Sequence, residues 1–335
     1  MTQSRRLHAI DGLRAFAALG VLAYHLFDKQ GYYGLLGVEL FFVISGFVIL
    51  MTLERVRSLR EYVVSRAARL YPAYWLSVAA VGALLLLNHE TSIRTVLLNA
   101  TMIQAFIGVP DLIHPYWTLA YELWFYAVMA AIYRLALLER VDWIALVWLG
   151  LMFVFRTSIL VFDRGSGLYR DFSFQLLLMP QFGHLFIAGM MIYRLQTGRS
   201  NLVTYLCLAL AVAYSLFGRP DWAAIPPAIY FPVNAAFILA VWATAAGKLE
   251  VLGRRPWVYL GLASYSLYLL HVPVSTVVST LFGQSYWMAV IASGLASIAA
   301  ALLSRALIER PAQQWAKRVL GRQMPLKDSQ AELKL

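Results

Sequence analysis

The 335-residue chain is 61% hydrophobic and only 13% charged, whereas a soluble domain averages roughly 45–50% apolar and about 25% charged residues. This imbalance excludes an ordinary soluble domain and predicts an integral membrane protein. The net charge of +11 does not indicate nucleic-acid binding, because the basic residues lie between apolar stretches, where they act as topology signals. The single cysteine, Cys207, excludes an intramolecular disulfide and a cysteine metal site.

Ten apolar stretches, each close to the roughly 20 residues that cross a bilayer, follow one another with short polar breaks. They predict an all-α, polytopic transmembrane bundle with spans at 9–27, 35–53, 70–88, 115–137, 142–162, 172–195, 202–217, 223–246, 258–282 and 286–308. We expect residues 1–320 to form one membrane domain and residues 321–335 a disordered cytoplasmic tail. Within residues 89–114, an apolar stretch predicts a short interfacial or re-entrant helix.

The basic residues strongly favour alternate loops. An even number of spans puts both termini on one side, and the loops and termini of that side carry 21 of the 28 lysines and arginines. The alternate loops carry five: Lys29, Arg94, Arg164, Arg170 and Arg219. Because basic loops stay in the cytoplasm, we expect both termini to be cytoplasmic and the protein to lie in the inner, cytoplasmic membrane.

The first span carries three ionisable residues, Asp11, Arg14 and His25. Such groups are costly in lipid and indicate functional sites. Arg14 and His25 are separated by three helical turns, or about 16 Å, and Asp11 precedes Arg14 by one turn. All three are therefore predicted on one helix face, with Asp11 and Arg14 near the cytoplasmic boundary and His25 towards the outer leaflet.

An alternative explanation of these residues needs no ligand. Arg14 can extend its side chain to the lipid headgroups with Asp11 as its ion-pair partner, and His25 can cap the outer end of the helix. Because no small-residue cleavage site follows this apolar stretch, we interpret it as a permanent span and not as a signal peptide.

The next two spans add candidate binding residues. Glu39, in GVELFFVISGFVI, lies near the outer boundary, where it either serves a site or is an exposed end residue. Arg66 and Arg69 stand one turn apart directly before Tyr71-Pro72 and the third span. Paired guanidinium groups suit phosphate binding, although the positive-inside rule alone also explains them.

The fourth span begins with PYWTLAYELWFY, which contains Trp117 and Glu122. A carboxylate inside a span must pair or protonate, so Glu122 is a candidate site residue, whereas aromatic residues such as Trp117 also populate membrane interfaces. His271 in the ninth span and His184 in the sixth are each more typical of structural hydrogen bonding than of catalysis. The histidines lack metal-ligand spacing with an acid, so no metal is expected.

Six ordered blocks resemble the membrane acyltransferase-3 family, which includes bacterial O-antigen, exopolysaccharide and nodulation-factor acetyltransferases. The first block, DGLRAFAALGVLAYHLF, is similar to the family's Arg-x10-His signature. The others are GVELFFVISGFVI, SRAARLYPAYW, WTLAYELWFY, SYSLYLLHVPV and ERP near the end. The chain departs from the family's frequent Ser-x-Glu at Ala120-Tyr121-Glu122, which keeps the acid and lacks the hydroxyl.

The resemblance implies transfer of an acyl group, usually acetyl, from cytoplasmic acetyl-CoA to a carbohydrate hydroxyl on the outer side. It implies that Arg14 and His25 are essential, and that Arg66 and Arg69 match the family's Arg-x-x-Arg motif on the CoA-bearing side, with Arg14 as a further phosphate ligand. We expect His25 to act as a general base, with a transient acyl-histidine as the alternative.

The same scheme suggests further roles. Glu122 or Glu39 is expected to orient the imidazole or hold the sugar, and Asp11 to position Arg14. Trp117 and His271 are candidate contacts of the acceptor. We expect no appended soluble domain, because the chain ends soon after the ERP block.

Two alternatives stay open at the level of sequence. The acceptor is expected to be a surface polysaccharide or exopolysaccharide, but peptidoglycan, a lipid-linked glycan or an antibiotic is also compatible with the motifs. A membrane transporter that uses the buried charges as a relay is the alternative from another class. No pattern in the sequence specifies an oligomeric state.

Overall fold

The computed structural model describes residues 3–162, 176–218, 225–282 and 285–321, and every element within these ranges is helical, as predicted. The predicted tail, except Gly321, lies outside the described residues. The α-helices are α1 (Gln3–Leu26), α2 (Gly37–Leu53), α3 (Leu59–Leu87), α4 (Ile93–Asn99), α5 (Trp117–Arg134), α6 (Val141–Phe162), α7 (Gly183–Gln196), α8 (Leu202–Tyr214), α9 (Pro227–Ala245), α10 (Arg255–Leu262), α11 (Ser264–Phe282), α12 (Tyr286–Ser304) and α13 (Arg310–Val319).

Within the described ranges, 7 helices are long and apolar enough to cross a bilayer. They are α1, α2, α3, α9 and α11, the segment Leu176–Gln196 that contains α7, and the continuous helix of α12 and α13. The helices α5, α6 and α8 lie at the other three predicted spans, and α8 is apolar but only 13 residues long. The chain is thus a multi-pass membrane protein, while the count of ten spans and the cytoplasmic termini stay predictions.

The start of α3 corrects the predicted boundary at residue 70. The helix begins at Leu59, so Arg66 and Arg69 lie on its first turns and not in a loop before it. The Ser58 side chain caps this end, because its hydroxyl accepts the backbone N–H of Glu61 at 3.2 Å, and such caps stabilise helix starts. The hydropathy pattern places the start of the span after the last arginine, because charged residues are polar. The helix nevertheless includes these residues, since arginine is a good helix former.

The predicted ninth span is divided into two helices. α10 and α11 separate at Ala263, and α10 packs closely against α1. Gly261 permits this contact, because a Cβ atom there would lie 1.7 Å from the backbone oxygen of Asp11. The prediction of one helix over 258–282 is therefore wrong at its start. The apolar sequence runs on without interruption through Ala263, so it gave no sign of the helix break that lies beside the contact with α1.

The last predicted span continues beyond its expected end at 308. A π-helical turn, Arg305–Glu309, joins α12 to α13, and Pro311 falls in the first turn of α13. π-helical turns often occur at functional sites, and this one carries the buried Glu309.

The segment between α3 and α5 contains the predicted short helix. α4 is 7 residues long and packs against α3. Asn99 at its end is fully buried and joins the two limbs of the segment. Its side-chain nitrogen donates to the Pro110 carbonyl at 3.0 Å, and its side-chain oxygen accepts from the Leu112 N–H at 3.2 Å. The segment is thereby fixed beside the start of α5.

Two glycines let α2 and α7 approach closely. A Cβ atom at Gly46 would lie 2.0 Å from the Phe186 carbonyl oxygen, and one at Gly189 would lie 2.0 Å from the Val43 carbonyl oxygen. Small residues permit such backbone contact between membrane helices. The contact fixes the position of α2 along its axis relative to α7, and therefore also the position of Ser45, which precedes Gly46.

Buried ion pairs stabilise the end of the bundle at which α2 ends and α3 begins, here called the basic end. The Arg194 guanidinium on α7 lies 2.9 Å from the Asp142 carboxylate on α6. The Tyr193 hydroxyl donates to Glu54 at 2.9 Å, and Thr204 on α8 donates to Asp142 at 2.9 Å. Together these contacts join four helices at this end.

Candidate active site

Two connected cavities run into the bundle from its basic end. The outer one, here called the vestibule, has a volume of about 380 Å³. The deeper one, the inner cavity, has a volume of about 60 Å³. Both are lined by Arg14, Val48, Arg66 and Arg69. Three arginines therefore surround the passage between a charged entrance and a narrower interior.

The vestibule is strongly basic. Besides the three shared arginines, Arg55 and Lys317 line it, against only two carboxylates, Asp11 and Glu61. The helix α13 forms one wall, so the π-helical turn also shapes this entrance. A cavity with this charge balance favours an anionic ligand.

Arg69 is held by a buried carboxylate that the sequence analysis did not single out. Its Nη1 lies 3.0 Å from Oε2 of Glu309, which is completely buried. The Ser266 hydroxyl on α11 donates to the other carboxylate oxygen at 2.6 Å. Ser304 lies 2.7 Å from Ser266 and extends the network to α12. Glu309 thus links α3, α11 and α12 and sets the position of Arg69.

Arg14 and Arg66 keep donors that other residues do not occupy. The Nε atoms of both guanidinium groups are buried and make no hydrogen bond to the described residues. The charges of Asp11 and Glu122 attract Arg14, whereas the charge of Arg69 repels it. Buried donors without partners are costly, so these two arginines are suited to bind an anion at the passage.

Glu122 faces the inner cavity from α5. Its carboxylate accepts hydrogen bonds from the Tyr126 hydroxyl and, at 3.4 Å, from the Ser45 hydroxyl on α2. Arg66 lies over the Tyr126 ring, with 6.0 Å from the guanidinium carbon to the ring centroid. Position 120 is alanine in this chain, and the serine hydroxyl that contacts Glu122 comes from Ser45 on another helix.

His25 is in direct contact with His271 on α11. Nε2 of His271 lies 3.2 Å from Nδ1 of His25, and the two ring centroids are 4.6 Å apart. Nδ1 of His271 lies 3.1 Å from the Leu267 carbonyl oxygen, and Nδ1 of His25 lies 2.9 Å from the Val21 carbonyl oxygen.

These contacts define the tautomers of the two neutral rings. A carbonyl oxygen only accepts, so Nδ1 of His271 carries its hydrogen and Nε2 is the acceptor. Nδ1 of His25 must then be the donor towards both Val21 and His271. The remaining nitrogen of His25, Nε2, is left unprotonated, which is the state that a general base or nucleophile requires.

Arg14 lines the inner cavity from α1, and Val38 lines it from α2. The adjacent Gly37 packs against Ala17 and Val21 of α1, and Val21 precedes His25 by one turn. Part of the cavity wall is therefore built by the segment of α2 that packs against α1 below His25, while His25 is not among the described residues that line the cavity.

An aromatic pair closes the far end of the inner cavity. Phe41 and Tyr268 both line it, with 6.2 Å between their ring centroids. Tyr268 is in turn 6.1 Å from the His271 ring, and its hydroxyl lies 2.8 Å from that of Thr118. Tyr268 therefore stands between Glu122 and the two histidines.

Four predicted site residues, His25, His271, Glu39 and Trp117, are not among the described residues that line the two cavities. Glu39 is 2% exposed in the first turn of α2. Trp117 packs its ring 5.4 Å from that of Phe182 and 6.2 Å from that of His114. The structure thus groups Asp11, Arg14, Arg66, Arg69 and Glu122 around the cavities, and pairs His25 with His271.

The sequence did carry a signal for Glu309. It is the acid of the ERP block, which contributed to the family resemblance without being assigned a role. Tyr126 and Tyr268 also stand in quoted blocks, WTLAYELWFY and SYSLYLLHVPV, but tyrosines are common throughout this chain and neither was singled out. In the described part of the chain, histidine, cysteine and acidic residues form no group of three suited to a metal ion.

Comparison with known proteins supports the resemblance of the motifs. Peptidoglycan O-acetyltransferase OatA of Listeria monocytogenes is 23% identical over 355 residues, which cover 90% of this chain and 55% of that protein. A protein of Acidianus two-tailed virus, provisionally named an acetyltransferase, is 32% identical over 135 residues, or 38% of this chain and 41% of its own. A Staphylococcus aureus protein, provisionally named an O-acetyltransferase, is 39% identical over 97 residues, which cover 27% of this chain and 16% of that protein.

The chain spans only 16% to 55% of the length of these relatives, and no solved structure matches it significantly. A family model described as an acyltransferase domain matches residues 7–306. Because this match covers nearly all of the helical bundle, including both cavities up to the π-helical turn, the chain belongs to this acyltransferase family.

Proposed function

We propose that the protein transfers an acyl group, most simply acetyl, from acyl-CoA at the basic end of the bundle to a carbohydrate hydroxyl at the opposite end. The observation that carries this proposal is the pair of cavities that share three arginines in their lining, in a bundle that also holds the His25–His271 pair further along α1. A route of this shape fits a donor with a charged head and a long thin arm.

Acetyl-CoA would place its phosphates in the vestibule. Arg66 and Arg14 offer unused N–H donors, and Arg69 is held in place by Glu309. Planar guanidinium groups bind phosphate through paired hydrogen bonds. From this position the pantetheine arm has to cover about 16 Å along α1 to reach His25, which is about half the thickness of a bilayer core.

His25 would supply the base for acyl transfer. Its unprotonated Nε2 removes the proton of the acceptor hydroxyl while that oxygen attacks the thioester carbonyl. The new C–O bond forms, the C–S bond breaks, and the imidazolium returns the proton to the leaving thiolate. His271 would keep the imidazole in the required tautomer through its contact with Nδ1.

The acids would serve positioning and charge balance. Glu122 attracts Arg14 and is itself held by Ser45 and Tyr126, so it can set the position of the thioester end of the donor. Asp11 also attracts Arg14 and would orient its guanidinium group at the passage.

The acceptor would be a carbohydrate on the outer side of the inner membrane, with both protein termini in the cytoplasm. Trp117, Glu39 and His271 are proposed acceptor-side residues, and all three lie in the half of the bundle away from the vestibule. One of the similar proteins is named for peptidoglycan, so peptidoglycan is tested alongside a surface polysaccharide. Acetate mapping of both glycans, with and without the protein, distinguishes these acceptors.

The proposal is tested by the base-labile acetate on the cell envelope. We expect His25→Ala and Arg14→Ala to abolish the acetate that the wild-type protein adds. Matched controls are Arg134→Ala, at the exposed end of α5, and His89→Asn. His89 has a positive φ of 59°, which asparagine tolerates. Wild-type acetylation by both site variants, at equal amounts of inserted protein, would refute the mechanism.

The transporter alternative is separated by purified protein. An acyltransferase in lipid nanodiscs consumes acetyl-CoA when acceptor is present, whereas a transporter leaves it unchanged. Radioactive acetyl-CoA without acceptor also tests the acyl-histidine route. Label retained on the wild type and lost in His25→Ala would favour a covalent intermediate, and no label on either would favour direct transfer.

A further inference from the structure

Three buried polar side chains meet away from the vestibule without hydrogen-bond partners. Glu39 stands in the first turn of α2, and Tyr230 and Asn234 stand in the first two turns of α9. They are 2%, 0% and 0% exposed. Oε2 of Glu39, the hydroxyl of Tyr230 and both side-chain amide atoms of Asn234 make no hydrogen bond to the described residues.

The three side chains belong to one cluster. The carboxylate of Glu39 and the Tyr230 hydroxyl are close enough to interact electrostatically. The Tyr230 hydroxyl also lies near the Asn234 amide, but the two do not form a hydrogen bond of normal geometry. The helices α2 and α9, which carry the three residues, pack against each other.

Such a cluster is unfavourable unless something binds to it. A buried polar group without a partner loses its interactions with water and gains nothing in return. Within a membrane bundle, lipid cannot supply the missing hydrogen bonds either. Leucine or phenylalanine would be the more stable choice at all three positions, so the polar residues indicate a bound polar ligand.

The cluster lies beside the proposed reaction centre. Tyr268, which lines the inner cavity, interacts electrostatically with both Glu39 and Glu122. Tyr24, whose ring contacts His25 at 4.7 Å, packs against the same group of residues as Tyr230. The cluster is thus linked to the proposed reaction centre through Tyr268, which lines the inner cavity, and through Tyr24, which contacts His25.

The chemistry of the cluster selects a neutral, hydroxyl-rich ligand. The asparagine amide offers both a donor and an acceptor, the tyrosine hydroxyl can do either, and the carboxylate accepts. An anion would find no cationic side chain among these three residues, and a metal ion would find only one carboxyl group. Adjacent hydroxyl groups of a sugar match this set.

We propose that Glu39, Tyr230 and Asn234 bind hydroxyl groups of the sugar acceptor and so present a neighbouring hydroxyl to His25. This inference rests on the proposed acyltransferase function and adds the residues that hold the acceptor. It separates acceptor binding, between α2 and α9, from donor binding at the arginines.

The test combines three measurements on full-length Tyr230→Phe and Asn234→Leu. We expect envelope acetate to fall about tenfold in each variant, as for loss of one hydrogen bond to substrate. Acetyl-CoA binding by the purified protein, measured by calorimetry in nanodiscs, should stay unchanged. The thermal midpoint should stay equal or rise, because each change removes an unpartnered polar group. Thr244→Val, on the opposite end of α9, is the control, since Thr244 already bonds to Ala240 at 2.7 Å.

Glu39 provides a conservative rescue. Glu39→Gln keeps a hydrogen-bonding side chain and should retain more envelope acetate than Glu39→Leu, with equal acetyl-CoA binding in both. Equal acetylation by Glu39→Gln and Glu39→Leu would contradict a role of this side chain in holding hydroxyl groups.

The outcomes separate this inference from the proposed function. Wild-type acetylation by Tyr230→Phe and Asn234→Leu would overturn the acceptor site while leaving the enzyme intact. A loss of acetate that only follows a lowered thermal midpoint would also overturn it, because the cluster would then be structural. If the wild-type protein adds no envelope acetate over a strain that lacks it, the proposed function itself fails.

Discussion

Replacement of Glu309 tests whether the π-helical turn serves to hold Arg69. Glu309 is completely buried, and its carboxylate lies 3.0 Å from the Arg69 guanidinium. Its second oxygen accepts the Ser266 hydroxyl at 2.6 Å. Both oxygens are thus used, and removal of the carboxylate leaves a cation and a hydroxyl without their main partner.

The expected cost follows from these contacts. Removal of one partner of a buried ion pair lowers the free energy of unfolding by about 3–5 kcal/mol. The side chain of Arg69 is 17% exposed at the vestibule, so water compensates in part, and we expect Glu309→Ala to cost about 3 kcal/mol, the lower end of this range. Glu309→Gln keeps an acceptor for Arg69 and a bond to Ser266, and should cost about 1 kcal/mol.

The assay is denaturation of the purified protein in mixed micelles, together with acetyl-CoA binding. We expect the dissociation constant to rise about tenfold in Glu309→Ala, which corresponds to 1.4 kcal/mol of lost phosphate binding. Glu139→Ala is the matched control, because its carboxylate is 79% exposed and lies 3.8 Å from Arg199, and such surface pairs contribute little. The reasoning is refuted if Glu309→Ala is no less stable than Glu139→Ala.

Three further predictions concern stability of the purified protein, measured in the same denaturation assay. Gly46→Ala should cost about 2–3 kcal/mol, because overpacking forces α2 and α7 apart where a Cβ atom would lie 2.0 Å from a backbone oxygen; an unchanged midpoint would contradict this contact. Ala136→Gly should add about 1 kcal/mol, because Ala136 is exposed and has a φ of 56° that glycine adopts without strain; a loss of stability would refute the reasoning. Burial raises the pKa of Asp111 above its usual value, although the Gln104 hydrogen bond and His114 oppose the shift. The charged form therefore destabilises the fold, and Asp111→Asn should be more stable than wild type at pH 8, by an amount that shrinks as the pH falls through the raised pKa.

The first span shows how far sequence reasoning on the site could go. The spacing of Asp11, Arg14 and His25 predicted one helix face, and the structure places Asp11 in the lining of the vestibule and Arg14 in the lining of both cavities, while His25 lies further along α1. The contact of His25 with His271 joins residues 246 positions apart. Helical periodicity describes one helix at a time, so no pattern within α1 could indicate which histidine would meet His25.

The predicted boundaries failed where helices continue past their apolar stretch. Arg66 and Arg69 lie within α3, and the last span continues past residue 308 through the π-helical turn into α13. Hydropathy measures transfer into lipid and not helix formation, so it shortens helices that continue past the membrane surface. Glu309 was overlooked for the same reason, because it stands in a helical turn beyond the predicted end of the last span.

The sequence alone determined that this chain is a helical membrane protein with several spans. These properties follow from composition and local spacing, because each span must satisfy its own backbone in lipid. Only the tertiary structure decided which side chains meet: Arg69 with Glu309, Ser45 with Glu122, His25 with His271, and Glu39 with the pair on α9. Those contacts depend on the depth and rotation of each helix in the bundle, which are set by close approaches such as those at Gly46 and Gly261.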